Sequence, residues 1–215
     1  SDLCRNVVDK LIELHQVDYD TAGLSDLGKG EGYIPRQIEG WSKRYRNAKT
    51  DNVPDFEKVM GWLQENMPEQ VKVCVIHNDF RFDNVVLNPE NPTEVIGVLD
   101  WEMATLGDPL MDLGNSLAYW IQADDDPVMQ MTRRQPTHLE GMMTRNEVVE
   151  YYCKKMDIDC EGFTFYRIYG LFRLAGIIQQ IYYRFHHGQT KDKRFANFFM
   201  MVAHLEKLCL GIIEK

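Results

Sequence analysis

The feature that most constrains this sequence is a pair of short apolar runs separated by a Pro- and Asn-rich segment. Val85–Leu87 and residues 95–99 each favour a β-strand, and residues 88–92 (Asn-Pro-Glu-Asn-Pro) form a turn signal. The two runs therefore predict an antiparallel hairpin, in which the start of the first strand lies beside the end of the second. This arrangement makes Asn84 and Asp100 neighbours, although sixteen positions separate them in the sequence.

Polar residues gather at the predicted strand ends. An apolar run leads into His77, Asp79 follows two positions later, and Asn84 comes five positions after that. With Asp100, these side chains supply two carboxylates and an amide oxygen. At about 4 Å and an effective dielectric constant near 20, two carboxylates repel each other by roughly 4 kcal/mol. Mg²⁺ removes this repulsion and characteristically binds one or two carboxylates plus substrate phosphates, so a Mg²⁺ site is predicted; an ordinary polar loop is the alternative.

Three motifs, in this order and spacing, resemble a known group of enzymes. They are HNDFRFDN at 77–84, LDWE at 99–102 and GDPLMDL at 107–113. Together they resemble the aminoglycoside phosphotransferase and choline kinase superfamily, which is protein-kinase-like. The resemblance is strongest to the kinase-like domains fused to certain acyl-CoA dehydrogenases and to the stand-alone bacterial relatives of those domains.

This resemblance implies a role for each residue of the predicted site. Asp79 would be the catalytic base that orients and deprotonates the substrate hydroxyl, and Arg81 would lie beside the transferred phosphate. Asn84 and Asp100 would hold Mg²⁺ and, through it, bound ATP. His77 would brace the catalytic loop and take no part in the chemistry.

Two further acidic residues are predicted to support the site. Asp108 followed by Pro109 is typical of a helix start, with the aspartate as cap and the proline in the first turn. Asp112 lies four residues later, so the two aspartates share a face of that helix. The resemblance implies that Asp112 hydrogen-bonds the catalytic loop and fixes its shape.

Helical periodicity dominates the rest of the sequence. Apolar spacing and capping signals predict helices within 1–16, 34–45, 56–67, 108–121, 144–156, 163–187 and 190–213, with a loop over 122–141. The predicted fold is α+β and mostly α, a single domain over residues 1–215 in which a small β-hairpin carries the site. The resemblance makes it the large, C-terminal lobe of a protein-kinase-like fold. Candidates for substrate contact in the aromatic helix are Arg167, Arg173 and Gln179, among which the sequence does not choose.

Composition and charge limit the partners of the chain. A net charge of −9 argues against a general binder of nucleic acids or anionic membranes, which needs clustered Lys and Arg. No signal peptide and no uninterrupted run of 18 apolar residues is present, so we expect a cytoplasmic protein. The five cysteines include no Cys-x-x-Cys pair and indicate no disulfide or metal framework. An acidic surface suits a cationic substrate, although it is also the ordinary property of a cytosolic protein.

The nucleotide-covering parts of a kinase are not found before the catalytic loop. Only 76 residues precede His77, and they contain no Val-Ala-x-Lys pattern. The Gly-rich residues 28–32 predict a turn, because the full phosphate-loop motif and a preceding strand are absent. The chain is therefore expected to represent a large lobe whose N-terminal nucleotide-binding lobe is missing in cis. Taken alone, it should bind nucleotide weakly and turn over little or not at all.

Three functional hypotheses follow. The first is an ATP- and Mg²⁺-dependent phosphotransferase acting on a hydroxyl of a small molecule, for which the resemblance suggests a hydroxyacyl compound such as a hydroxyacyl-CoA. The second is a non-catalytic kinase-like module that binds a metabolite or a partner protein, although a degenerate module need not keep Asp79, Asn84 and Asp100 together. The third, a phosphohydrolase, is weaker because no Asp-x-Asp nucleophile pair accompanies the site.

Overall fold

The computed structural model describes residues 2–215 as α-helices joined by short strands and turns. In chain order the elements are α1 (Asp2–His15), α2 (Tyr33–Ala48), α3 (Glu57–Glu65), β1 (Cys74–Ile76), β2 (Val85–Leu87), β3 (Val95–Val98), β4 (Thr105–Gly107), α4 (Pro109–Ala118), α5 (Pro127–Met131), α6 (Arg145–Met156), α7 (Phe163–His186) and α8 (Phe198–Ile213). This mostly helical α+β architecture agrees with the predicted fold class.

Strands β2 and β3 form the predicted antiparallel hairpin. Val85 lies opposite Val98, as expected for a hairpin centred on the Pro- and Asn-rich turn. One step further, the Leu99 backbone N–H donates to the Asn84 carbonyl oxygen at 2.8 Å. Asp100 therefore follows directly on the residue that pairs with Asn84, and the hairpin brings the two predicted Mg²⁺ ligands to one strand end.

A second two-stranded sheet, which the sequence did not predict, places the predicted catalytic loop beside helix α4. Strand β1 pairs antiparallel with β4, and Cys74 lies opposite Gly107. A Cβ at Gly107 would overlap the Ile76 side chain and lie 3.0 Å from the Tyr33 ring, so glycine is needed for this close approach. Since β1 leads into His77 and β4 leads into α4, this pairing aligns the loop with the first turn of the helix.

Helix α7 is the central element of the core. It packs against α4, α8 and α2, and its Tyr169 and Phe172 side chains are fully buried. The helices α4 and α7 cross at glycines: a Cβ at Gly114 would overlap the Tyr166 carbonyl group, and one at Gly170 would overlap the Gly114 carbonyl group. The two backbones therefore approach each other more closely than any larger residue permits.

Replacing Gly114 with Ala is expected to lower the free energy of unfolding by about 1–3 kcal/mol, because the added methyl group must push α7 away. Urea denaturation measures the change. The matched control is Gly211→Ala in α8, where an added Cβ meets nothing within 4 Å. At that position the replacement of glycine by alanine should raise the free energy of unfolding by about 0.5–1 kcal/mol, because alanine favours the helix. Equal effects of the two substitutions would contradict the close crossing.

Three local features differ from the sequence prediction. The predicted loop over 122–141 contains α5, whose cap Asp126 accepts hydrogen bonds from the next turn; five residues are too few to show helical periodicity. The last helix begins at Phe198 instead of residue 190. Cys153 and Cys160 form a disulfide bond that the cysteine spacing did not indicate.

The last helical segment, Lys193–Ile213, is long and apolar enough to cross a membrane by length and composition alone, and no second such segment occurs within residues 2–215. Only 22% of its most apolar stretch is buried in the structure. The residues that α8 buries are Met201, Val202, Leu205 and Cys209. Core helices of soluble proteins meet the same criteria of length and composition, so this one segment does not assign the chain to a membrane.

Candidate active site

The loop between β1 and β2 holds the Asp79 carboxylate in a defined position. The Asn84 amide donates from Nδ2 to the Asp79 carbonyl oxygen at 2.8 Å, which closes the loop, and to Oδ2 of the same residue at 3.2 Å. The Arg81 guanidinium also donates to Oδ2, at 3.1 Å. The Asp79 side chain is 22% exposed. No donor within residues 2–215 reaches Oδ1, so one oxygen of this carboxylate is available to a ligand.

Arg81 is fixed beside Asp79 by several contacts. A guanidinium nitrogen lies 3.5 Å from Oδ2 of Asp83, and the guanidinium carbon lies 4.8 Å from the centre of the Tyr119 ring. Its Nε is buried and has no hydrogen-bond partner among the described residues. Arg81 therefore places a fixed positive charge beside the Asp79 carboxylate. A positive charge fixed in this way can stabilise the negative charge of a phosphoryl group during transfer.

Asn84 and Asp100 present oxygen atoms at the end of the hairpin. Asn84 is buried and uses Nδ2 for both of its side-chain hydrogen bonds, which leaves Oδ1 free. Asp100 is exposed, and its side chain caps no helix. Its backbone lies in the left-handed region with φ 67°, a conformation that non-glycine residues adopt at a cost and often at functional sites.

This donor set fits Mg²⁺ with a nucleotide. Mg²⁺ binds hard oxygen atoms and takes few protein ligands when phosphates complete its coordination. No group of three or more His, Cys, Asp or Glu side chains able to hold a metal occurs in the part of the chain that the structure describes. Asn84 and Asp100 would supply one amide and one carboxylate oxygen, so the phosphates of a bound nucleotide would have to provide the remaining ligands.

His77 links the catalytic loop to the residue before Asp100. The fully buried imidazole accepts a hydrogen bond at Nδ1 from the Asp79 backbone N–H, at 3.2 Å, and contacts the Leu99 carbonyl oxygen through Nε2 at 2.9 Å. This pattern assigns the proton to Nε2. The Trp101 ring packs against the imidazole at 4.8 Å. This location fits a residue that holds the loop in shape, because the buried ring of His77 is not accessible to a substrate.

Asp112 lies beneath the loop as a fully buried carboxylate. It accepts hydrogen bonds from the backbone N–H groups of His77 at 2.8 Å and Asn78 at 2.7 Å, and it contacts Nε2 of His15 at 3.0 Å. Burial on its own would raise the pKa of Asp112, but the hydrogen bond and charge of His15 together with the two backbone donors hold that pKa below its usual value. The carboxylate is therefore kept charged while it orients the loop.

His15, the last residue of α1, supports the site from a distant part of the chain. In the structure it lies between two polar partners: Nε2 faces Asp112, and Nδ1 lies 2.5 Å from the Tyr152 hydroxyl. The ring is 1% exposed. Because 97 positions separate His15 from Asp112, no local pattern indicated this pair.

Asp108 caps α4 and ties the preceding segment to it. Its Oδ1 accepts from the backbone N–H groups of Leu110 and Met111, and its Oδ2 accepts from that of Val71 at 2.9 Å. Burial raises the pKa of Asp108, and these hydrogen bonds only partly oppose the rise. Asp108 thus anchors the chain entering β1, whereas Asp112 anchors the chain leaving it.

Asn78, which the sequence analysis did not name, is hydrogen-bonded to Arg173, which it named without choosing it. Asn78 has φ 65°; it accepts from the Tyr33 hydroxyl and donates to the Met103 carbonyl oxygen, both at 3.0 Å. Arg173, one of three candidates in α7, donates from Nη2 to the Asn78 carbonyl oxygen at 3.0 Å. A non-glycine residue with positive φ next to a catalytic loop has no sequence signature beyond the preference of Asn for that region.

The fold and the loop between β1 and β2 have the arrangement of the large lobe of protein-kinase-like phosphotransferases. A model of the phosphotransferase enzyme family matches residues 1–144, and the chain belongs to this family. A solved structure from Ralstonia eutropha, described as an aminoglycoside phosphotransferase, superimposes with a TM-score of 0.85 at 27% identity, covering 99% of this chain and 65% of that one. Choline kinase from Cryptosporidium parvum superimposes with a TM-score of 0.55 at 11% identity, which shows the fold alone.

Curated relatives confirm the expected relationship to acyl-CoA dehydrogenase-associated proteins. The chain is 39% identical to mouse acyl-CoA dehydrogenase family member 10 over 85% of its length, and 31% identical to human family member 11 over 91%. It spans only 17% of the mouse protein and 26% of the human one. The similarity thus concerns one part of much longer proteins.

Proposed function

We propose that this chain is the large lobe of an ATP- and Mg²⁺-dependent phosphotransferase that acts on a hydroxyl group of a small molecule. The observation that carries the proposal is the convergence at one strand end: Asp79 has a free carboxylate oxygen beside Arg81, and Asn84 pairs with the residue before Asp100. Membership of the phosphotransferase family supports the same chemistry.

The residues of the site divide the work of phosphoryl transfer. The free Asp79 oxygen accepts the hydrogen bond of the acceptor hydroxyl and takes its proton, which makes the hydroxyl oxygen nucleophilic. Arg81 supplies positive charge where the phosphoryl oxygens gain negative charge. Asn84 and Asp100 would hold Mg²⁺, which neutralises the phosphates of the nucleotide. His77 and Asp112 keep the loop in shape, which matters because this chemistry depends on positioning.

Nucleotide binding and the acceptor are proposed from the comparisons. About a third of the Ralstonia chain lies outside the part that this chain matches, and the residues before His77 contain no strand lysine of the kinase type. We therefore propose that tight nucleotide binding needs a further lobe. The names of the curated relatives, all acyl-CoA dehydrogenase proteins, support a hydroxyacyl compound as the acceptor.

Binding of Mg²⁺ and ADP tests the metal site directly. In a protein extended by its nucleotide lobe, adding Mg²⁺ with ADP should shift the amide resonances around Asn84 and Asp100. Asp100→Ala should lower the affinity for Mg²⁺ at least about tenfold, because it removes the only charged protein ligand of the proposed site. The control is Asp51→Asn, at an exposed turn outside the proposed site, which should leave the affinity for Mg²⁺ unchanged. An absent Mg²⁺ response in the unmodified protein would instead favour a non-catalytic module that binds a metabolite or a partner.

A further inference from the structure

A cleft of about 360 Å³ opens beside the catalytic loop, between helices α2 and α7. Asn78, which directly precedes Asp79, lines its floor. Trp41 and Arg44 come from α2, and Arg173 comes from α7. A cleft of this volume accommodates a small metabolite. The cleft adjoins the loop that carries Asp79 through Asn78, the preceding residue.

The charge of this cleft is positive although the chain as a whole carries −9. Two arginines line it, and no Asp or Glu does. Arg173 is 5% exposed, and its one hydrogen bond goes to a neutral carbonyl oxygen, that of Asn78. Within residues 2–215, no carboxylate forms an ion pair with Arg44 or Arg173. Buried charges are normally paired, whereas Arg173 is a buried cation without an anionic partner among the described residues.

Both guanidinium groups are held against the same aromatic ring. The guanidinium carbon of Arg44 lies 4.8 Å from the Trp41 ring centre, and that of Arg173 lies 5.3 Å from it. A Cβ at Gly176 would come within 3.1 Å of the indole, so the glycine allows the ring to approach α7. Trp41 therefore contacts both guanidinium groups and fixes one side of the cleft.

We infer that this cleft binds the acceptor through an anionic group, a carboxylate or a phosphate, held by Arg44 and Arg173. This inference rests on the proposed function, because only a phosphotransferase has an acceptor substrate. It makes the substrate a negatively charged hydroxy compound, the opposite of the cationic substrate that an acidic protein suggests. Arginine is suited to this role because its planar donors match the oxygens of carboxylates and phosphates.

Ligand titrations of the 215-residue chain test the cleft without any nucleotide. The probes are 3-hydroxybutyrate, its uncharged methyl ester, inorganic phosphate and choline, and the readout is the indole N–H resonance of Trp41. The hydroxy acid or phosphate should shift this resonance and saturate, whereas the ester and choline should not. The relative affinities of the acid and phosphate then show which anion the cleft prefers. Tighter binding of choline than of both anions, or no shift with any probe, overturns the inference.

Charge removal at Arg44 gives the second arm of the test. Arg44→Gln should weaken anion binding at least about tenfold, as expected for one charge-assisted hydrogen bond. Arg44 is exposed, so the substitution leaves the core intact. Arg133→Gln, at an exposed position outside the cleft, is the matched control. Unchanged affinity in Arg44→Gln overturns the inference. Anion binding without phosphoryl transfer in the extended protein would leave the cleft assigned and count against the proposed function alone.

Discussion

Replacing Asp79 with Asn is expected to slow phosphoryl transfer by about 10²- to 10⁴-fold, the usual contribution of a general base. Asn keeps the size of the side chain and can still accept hydrogen bonds from Arg81 and Asn84, so the loop should keep its shape. It cannot take the proton of the acceptor hydroxyl. Release of ADP by a protein that includes the nucleotide lobe measures the effect, and the loss should appear in kcat.

The control for Asp79→Asn is Asp51→Asn, an equal change of charge at an exposed turn, which should leave the rate as it is. A variant at position 79 that retained most of the activity would remove Asp79 from the proposed role. A separate result bears on the missing lobe. Clear Mg²⁺-dependent consumption of ATP by the 215-residue chain, abolished by Asp79→Asn, would contradict the need for further sequence.

Replacing Asp112 with Ala is expected to lower the free energy of unfolding by about 3–5 kcal/mol, the usual cost of removing one partner from a buried charged pair. The substitution leaves the N–H groups of His77 and Asn78 and the His15 ring without their acceptor. Urea denaturation at neutral pH measures the loss. A change below about 1 kcal/mol would show that water or a neighbouring group replaces the carboxylate.

The pH dependence of stability distinguishes Asp112 from Asp108. Because the pKa of Asp112 is lowered in the folded state, its charged form stabilises the fold above the ordinary value of about 3.9. This contribution is lost as the pH falls through the lowered value, so the advantage of the unmodified protein over Asp112→Asn should shrink there. The pKa of Asp108 is raised, so the unmodified protein should gain relative to Asp108→Asn as the pH falls toward 3.9. A change of the same sign in both pairs would contradict this assignment.

Local chemistry made several parts of the fold predictable. The turn over residues 88–92 set the register that pairs Val85 with Val98 and brings Asn84 beside the residue before Asp100. The capping box of α6 was also predictable, because Thr144 and Glu147 satisfy each other three positions apart. These signals act over a few residues, or across one tight turn, and a sequence contains them directly.

The support of the site was not predictable in the same way. Strand β4 has three residues, and only its pairing with β1 defines it. Arg173 reaches the Asn78 carbonyl oxygen across 95 positions, and nothing in α7 distinguishes it from Arg167. The overall negative charge suits a cationic substrate but is also the ordinary property of a cytosolic protein, and it did not indicate that two arginines line the cleft beside the loop.

For this protein, the amino-acid order was enough to specify the hairpin, the helix caps and the identity of the candidate catalytic residues, because each depends on neighbours in the chain or on a compact motif. Tertiary packing decided that His15 supports Asp112, that α4 crosses α7 at glycines, and that Arg44 and Arg173 meet at Trp41. Such contacts depend on how distant helices pack, and the free energy of that packing is distributed over the whole core.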